Sequence, residues 1–293
     1  MSRRTTVGAV LLVALTVAAT VGFLAGRRED ARAVERPSGV GPQGAIPQFV
    51  VECAWSHTAS DDPIVHPGHK GASHVHDFFG NTSTSADSDL ESLLVSGTTC
   101  EQKLDTAAYW APALYDHGEV VRPIGSVAYY RPGPGVDPTT IEPYPAGLVM
   151  IGGDPSGSSG HARDFASWRC GASPRLAPEP PTCPGLAPLS ARVVFPDCWD
   201  GRRTDSDDHV SHVAHSRDGS CPPTHAVPIP QLTFEIRYPI HGNGHRLELA
   251  SGGVRSVHAD FVNAWDQDAL EREVHACLEL GNVCGVVSNR ATG

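Results

Sequence analysis

The segment Ser73-His74-Val75-His76-Asp77-Phe78-Phe79-Gly80-Asn81 sets two imidazoles two residues apart and follows them with a carboxylate and two aromatic rings. Along a strand successive side chains alternate faces, so His74 and His76 would point the same way, about 7 Å apart at Cα, with Val75 turned to the other side. Two further segments use the same residue types, Asp208-His209-Val210-Ser211-His212 and His258-Ala259-Asp260-Phe261. Brought together, the three would line one pocket. Neutral imidazoles there can ligate zinc, copper or iron, with Asp77 or Asp260 as an oxygen ligand or an orienting partner. On this reading the metal ligands are His74, His76, His212 and His258, and the cofactor is a divalent transition metal. No His-Glu-x-x-His or comparable complete motif accompanies them.

The same residues also suit metal-free acid–base chemistry, with aspartate fixing the histidine tautomer. The catalytic candidates are then His76, Asp77, His209 and Asp260. Paired carboxylates, Asp77 with Asp260 or Asp154 with Asp208, would fit glycoside cleavage. Trp55, Tyr130 and Trp199 offer flat apolar faces for sugar rings, and as an exposed platform they would instead make a non-catalytic carbohydrate- or wall-binding module. A third reading is a structural network in which buried His–Asp pairs satisfy backbone groups. There is no Gly-x-Ser-x-Gly elbow for a serine hydrolase. Five aspartates between Asp197 and Asp208 could offer oxygens to calcium, though without EF-hand spacing. Asn81-Thr82-Ser83 is a formal glycosylation sequon.

Short strands must position these groups. Phe49–Cys53, Ser126–Arg131, Arg192–Phe195 and the alternating Leu232-x-Phe234-x-Ile236-x-Tyr238 read as strands. Ala107–Tyr115 reads as a buried strand edge broken by Pro112, and Gly147–Ile151 as a central strand opening into a flexible Gly152-Gly153-Asp154 loop. Leu90–Val95 can form a short helix. A longer one is signalled from Asp268-x-x-Glu271, with Leu270, Val274, Cys277 and Leu278 as its apolar stripe and Gly281 as its C-cap. With 25 prolines and 30 glycines, the remainder should be loops. The expected fold is β-dominated, all-β or α+β: a single loop-rich, disulfide-stapled β-sandwich-like domain with a few peripheral helices.

Residues 1–26 follow the plan of a signal or anchor segment: Arg3-Arg4, then an apolar run of 19 residues from Val7 to Ala25. That length is near the roughly 20 residues that span a bilayer, so anchor and cleaved signal both remain open. Residues 27–48 read as a Pro/Gly/Arg-rich linker. Their Gly39-x-Gly41-x-x-Gly44 pattern lacks the strand and helix of a dinucleotide fingerprint. Residues 49–293 form the domain. Beyond residue 36 there are 16 basic against 30 acidic side chains, a balance that excludes a nucleic-acid footprint and leaves the membrane to the N-terminal segment alone. All eight cysteines fall in the domain, an even count that reads as disulfides in an exported chain. Many pairings are open, and the sequential one is the simplest.

A series of ordered motifs resembles a known family. They include Trp55-Ser-His57, Asp61-Asp-Pro63, His74-x-His76-Asp77-Phe78-Phe79-Gly80-Asn81, Tyr109-Trp110-x-Pro112 and Tyr129-Tyr130-Arg131. Phe195-Pro-x-Cys198-Trp199-Asp200-Gly201, Asp208-His209-x-Ser211-His212 and His258-Ala-Asp260-Phe261-x-Asn263-x-Trp265 continue the series. Together, over about residues 49–285, they are similar to DUF1996, a domain of unknown function in secreted fungal and actinobacterial proteins. The resemblance implies an exported, disulfide-bonded domain, sometimes beside carbohydrate-associated modules, and carries over no catalytic residue. The expectation is an extracytoplasmic monomer with a His/Asp pocket that binds a divalent metal or acts on polysaccharide or cell-wall glycan.

Overall fold

Every strand of the two large sheets can be assigned a face from its ladder register, and those faces decide where the histidines go. In chain order the first strands are β1 (Gln48–Cys53), β2 (Trp55–Ala59), β3 (His76–Gly80), β4 (Ala108–Pro112), β5 (Leu114–Asp116), β6 (Glu119–Val121), β7 (Gly125–Arg131), β8 (Val149–Gly153) and β9 (Ala166–Cys170). Then follow β10 (Leu189–Val194), β11 (Cys198–Trp199), β12 (Val213–Ala214), β13 (Val227–Pro228), β14 (Gln231–Tyr238), β15 (Leu247–Leu249), β16 (His258–Val262) and β17 (Val283–Val286). A six-stranded sheet has the order β17-β1-β7-β14-β10-β9, and a five-stranded sheet the order β2-β3-β4-β16-β8. This computed structural model describes residues 46–157 and 165–288. The apolar run Val7–Ala25, most of the linker with its glycine pattern, and His161 lie outside the described residues. Among the described residues no helix is long and apolar enough to cross a membrane.

The two sheets pack face to face. Phe49, Ala128, Tyr130, Leu232, Phe234 and Val193 from the six-stranded sheet meet Phe79, Tyr109, Met150, Ala259 and Phe261 from the other in one buried cluster. Phe234 stacks on Tyr109 with ring centroids 5.3 Å apart and meets Phe79 edge-on at 5.7 Å. Gly152 lies at a close approach of the two sheets, since a Cβ there would meet Val193 at 2.9 Å and Phe195 at 3.0 Å. The fold is therefore the expected β-dominated sandwich with peripheral helices. On the far face of the five-stranded sheet Phe78, Trp110, Val262 and Ile64 form a second, smaller core.

Several local expectations shift. Pro112 does not break an edge strand: β4 is interior, between β3 and β16, and Pro112 is its last residue, where a missing N–H interrupts no ladder. The apolar Val149–Gly153 strand lies at the sheet's edge instead of its centre, and Gly152-Gly153 completes it without opening a loop. Its apolar character comes from burial between core and loop. Helix α1 spans Leu90–Leu94 with Asp89 and Ser92 in a reciprocal capping box. Helix α2 spans Gln267–Glu273 and is capped by Asp266, two residues before the expected start, because the Asp266 carboxylate takes the Ala269 N–H. It continues into a π-helical turn, Val274–Glu279, which keeps Val274, Cys277 and Leu278 buried.

The disulfides follow the sequential pattern, Cys53–Cys100, Cys170–Cys183, Cys198–Cys221 and Cys277–Cys284. Each typically stabilises by about 2–4 kcal/mol, and four of them mark a protein of an oxidising, extracytoplasmic compartment. Asn81, in the formal sequon, is fully buried; its amide donates to the carbonyls of Leu93 and Thr106 at 2.9 and 2.8 Å.

The main core holds one polar thread. The Trp265 indole donates to the Tyr130 hydroxyl at 3.2 Å, the Tyr130 and Tyr109 hydroxyls are bonded to each other, and Tyr109 donates to Asp105 at 2.8 Å. Burial pushes the Asp105 carboxyl up to about 7, opposed by its bonds from Tyr109 and the Ala107 N–H. The folded state thus keeps a proton that the unfolded chain releases near its ordinary value. Asp105 therefore lowers stability progressively as pH rises from about 4 to about 7. Asp105→Asn is expected to flatten that part of the stability–pH curve relative to wild type, read by urea unfolding at intervals of pH.

Candidate functional site

The far face of the five-stranded sheet carries the site. Register pairs His76 with Pro112 on β4, while β16 places Asp260 opposite Trp110 and His258 opposite Gly153 of β8. Continuing the β4–β16 register, His258 falls on the same cross-strand row as Pro112. His76 and His258 thus flank a proline two strands apart, and its compact ring leaves room for both imidazoles to lean inward. His74 joins them from just before β3, where the Ala113 N–H donating to the Val75 carbonyl at 2.9 Å prolongs the pairing. Alternation then gives His74 the face of His76. Ring centroids lie 4.2 Å apart for His74–His76, 5.3 Å for His74–His258 and 6.3 Å for His76–His258.

Each of these histidines offers a ring nitrogen within 4.8 Å of the others. The Nδ1 atoms of His76 and His258 face the carbonyls of Asp61 at 3.0 Å and Ser256 at 2.8 Å. A ring nitrogen bonded to a carbonyl must carry the proton, so the lone pair of each ring sits on Nε2. The Nε2 atoms of His74 and His76 are buried and have no hydrogen-bond partner. Burial pushes the His76 imidazolium down to about 3, helped by His74, and His258 down to about 4; His74, half-buried, is also lowered by burial. All three rings are held neutral, the state in which imidazole ligates.

The supporting residues were missed by sequence reasoning. Asp61 fixes its loop by accepting from the Gly71 and Ala86 N–H groups at 2.9 and 3.2 Å, so its own carbonyl is aimed at His76. Asp62 accepts from the N–H groups of Ile64 and Val65 at 2.9 and 3.0 Å. The only signal was the turn-prone Asp61-Asp62-Pro63 itself. Gly153 has φ +89°, and a Cβ there would meet the Val257 carbonyl oxygen at 2.4 Å and His258 Cα at 2.8 Å, so only glycine lets β8 pass this close to the His258 strand.

The other expected residues are placed as follows. Asp260 shares the face of His258 one row inward. It is buried, its Oδ2 and the Trp110 Nε1 lack partners, and burial with the Asp62 charge pushes its carboxyl well above the usual range. Asp77 lies on the opposite face from His76 and accepts from Thr58 Oγ1 at 2.6 Å and Trp55 Nε1 at 3.1 Å, so it does not join the imidazoles. The third segment stays apart. His212 Nε2 bonds the Val149 carbonyl at 2.7 Å and its Nδ1 the Ser206 hydroxyl at 2.8 Å. Val149 is four residues along β8 from Gly153, about 13 Å at strand rise from the row of His258. His209 pairs with Asp205 at 3.0 Å in the same loop. His212 and His209 therefore secure the loop that covers the β8 edge, a use that needs the same residue types as ligation.

The stacking platform does not assemble. Tyr130 is fully buried in the main core, Trp55 lies under Arg122 at 4.0 Å, and the Trp199 indole donates to the Arg203 carbonyl. The acidic loop's carboxylates are spent separately: Asp197 on the Ser216 N–H, Asp200 on those of Arg202 and Arg203, and Asp208 on those of Val210 and Ser211. They form no calcium cage among the described residues. Cys53, Cys100 and Asp105 also lie close together, but the disulfide consumes both thiols.

A disulfide-stapled β-sandwich bearing a neutral imidazole triad on one outer face is the class of protein these observations define. The chain belongs to the family described as Domain of unknown function (DUF1996), whose model matches residues 62–265 and so includes the Asp61–Asp62 loop from Asp62 on, all three imidazoles and Trp265. No curated protein and no solved structure matches the chain.

Two variants check the positioning. Gly153→Ala is expected to cost about 1–3 kcal/mol through backbone strain, read as a lowered thermal midpoint. His212→Ala should also cost about 1–3 kcal/mol, by stranding the Val149 carbonyl, while leaving any ligand at the triad bound as in wild type, read by denaturant unfolding beside a binding titration.

Proposed function

We propose that His74, His76 and His258 hold one divalent transition metal, zinc being the ion best suited to three neutral imidazoles with a fourth position left for water or substrate. The observation that carries this reading is the pair of buried, unpartnered Nε2 atoms on His74 and His76, in a triad where the Nδ1–H groups of His76 and His258 are tied to backbone carbonyls. A structural network would leave no such atoms, because a buried ring nitrogen without a partner costs about 1–3 kcal/mol. Backbone-anchored imidazoles with their second nitrogen free are the usual outer support of a metal ligand. Bound in this way, the metal would acidify a water at its open position.

Gly153 and the Asp61 and Ser256 carbonyls would orient the site, and Asp260 would hold a proton one row beneath it. The domain's extracytoplasmic setting makes wall-side polysaccharide the substrate class carried forward. The run Val7–Ala25 would supply the signal or tether that delivers the domain there.

Chelator-treated protein titrated with Zn²⁺, with elemental analysis of the product, is expected to take up one equivalent. At 100 times Kd the metal should stabilise the fold by about 2.7 kcal/mol. His76→Ala and His258→Ala should lose uptake while His209→Ala retains it, and a Co²⁺ derivative should show the visible absorption of a four-coordinate site. Uptake by His76→Ala equal to wild type would sink the reading. A polysaccharide screen of wild type against His76→Ala then tests the substrate class.

A further inference from the structure

The outer face of the six-stranded sheet, on the other side of the sandwich from the imidazoles, is unlike an ordinary solvated face. Register puts Arg192 directly between Glu235 on β14 and Ser167 on β9, and sets Arg169 opposite Ser190. Tyr129 lies opposite Thr233, and Arg131 opposite Gln231. Alternation along β14 predicts exposed polar residues here, yet Glu235 and Thr233 are 3 % exposed, Ser167 2 % and Ser190 1 %. The aliphatic stems of long charged side chains can roof a sheet in this manner.

Three guanidinium groups share this roof with one central carboxylate. Arg169 pairs with Glu235 at 2.5 Å. Arg131 donates to Gln48 Oε1 at 2.7 Å and stacks over Tyr129 at 4.6 Å. The Arg192 guanidinium makes no hydrogen bond among the described residues, although Glu235 is its cross-strand neighbour. Its NH1, the Nε of Arg169 and the Oγ of Ser167 are all buried without partners. Because Ser167 faces Arg192 across the ladder and Arg169 is two residues further along the same strand, the three side chains are neighbours on one face.

The arrangement carries a local surplus of positive charge in a chain whose net charge is −11. Burial pushes Arg192 below the usual arginine range, with Glu235 opposing and the neighbouring arginines adding to it, and burial does the same to Arg131. Such crowding works against folding. Unfilled guanidinium N–H donors beside a free hydroxyl on one face are what a bidentate oxyanion receptor requires.

We propose that Arg192, Arg169 and Ser167 form an oxyanion-binding site on the outer face of the six-stranded sheet, taking a phosphate or carboxylate group of an extracytoplasmic ligand. Arg131 and Tyr129 extend the face along the neighbouring strands, and Glu235 orients Arg169. The site needs no metal and shares no residue with the imidazole triad.

The test is calorimetric titration and thermal unfolding of the full protein with inorganic phosphate, glucuronate and, as the neutral control, glucose. An anion should raise the thermal midpoint and bind with an affinity that falls as NaCl is added, while glucose does neither. A response to phosphate alone assigns a phosphate group, one to glucuronate alone a carboxylate, and either supports the site. Arg192→Gln, its folding checked by its own thermal midpoint without anion, should weaken anion binding tenfold or more. Arg246→Gln, at an exposed arginine elsewhere, should change nothing. Arg192→Gln binding the anion as wild type does, or no response to either anion at millimolar concentration, would overturn the proposal.

Discussion

One ladder register governs the imidazole site: that of β3, β4 and β16. It sets His76 and His258 on either side of Pro112 and sends Phe78, Trp110 and Val262 to the same face. Because side chains alternate strictly, a slip of one residue in β3 or β16 would carry its histidine into the main core and turn Phe79 or Phe261 to the far face. The apolar contacts that forbid the slip are thus the contacts that assemble the triad. Packing and site are specified by one alignment.

The sandwich also separates two chemistries by geometry alone. Its interior is aromatic, and a polar thread there runs through Trp265, Tyr130, Tyr109 and Asp105, with each member bonded to the next. Both outer faces instead keep polar atoms that the fold leaves unsatisfied: imidazole nitrogens on the five-stranded sheet, guanidinium and hydroxyl groups on the six-stranded one. Native proteins satisfy most buried polar groups, so clusters of such atoms mark places where the chain has not been optimised for stability alone.

Sequence spacing made the β-rich architecture and part of the triad legible. His74-x-His76 shares a face for the elementary reason that strands alternate, and His258 follows the same rule on its own strand. What spacing could not separate was ligation from loop fastening, since Asp208-x-x-x-His212 and His258-x-Asp260 offer identical chemistry and differ only in which backbone carbonyl lies within reach. Tyr130 offered a flat apolar face for stacking, but the register places it on the inner side, while its neighbours Tyr129 and Arg131 face outward. The arginine cluster left no linear trace, because its members come from four strands separated by long loops. Likewise, Asp61 acts through its main-chain oxygen, which no side-chain pattern announces.

The interior position of Asn81 has a consequence for how the domain can be produced. Its amide nitrogen already serves two carbonyls and has no path to solvent, so an oligosaccharide could be attached only before the surrounding strands close. In a secretory pathway that modifies nascent chains, such an early attachment would exclude the Leu93 turn from its seat and stall maturation. A host that does not add sugars to the emerging polypeptide is accordingly the natural choice for making this molecule.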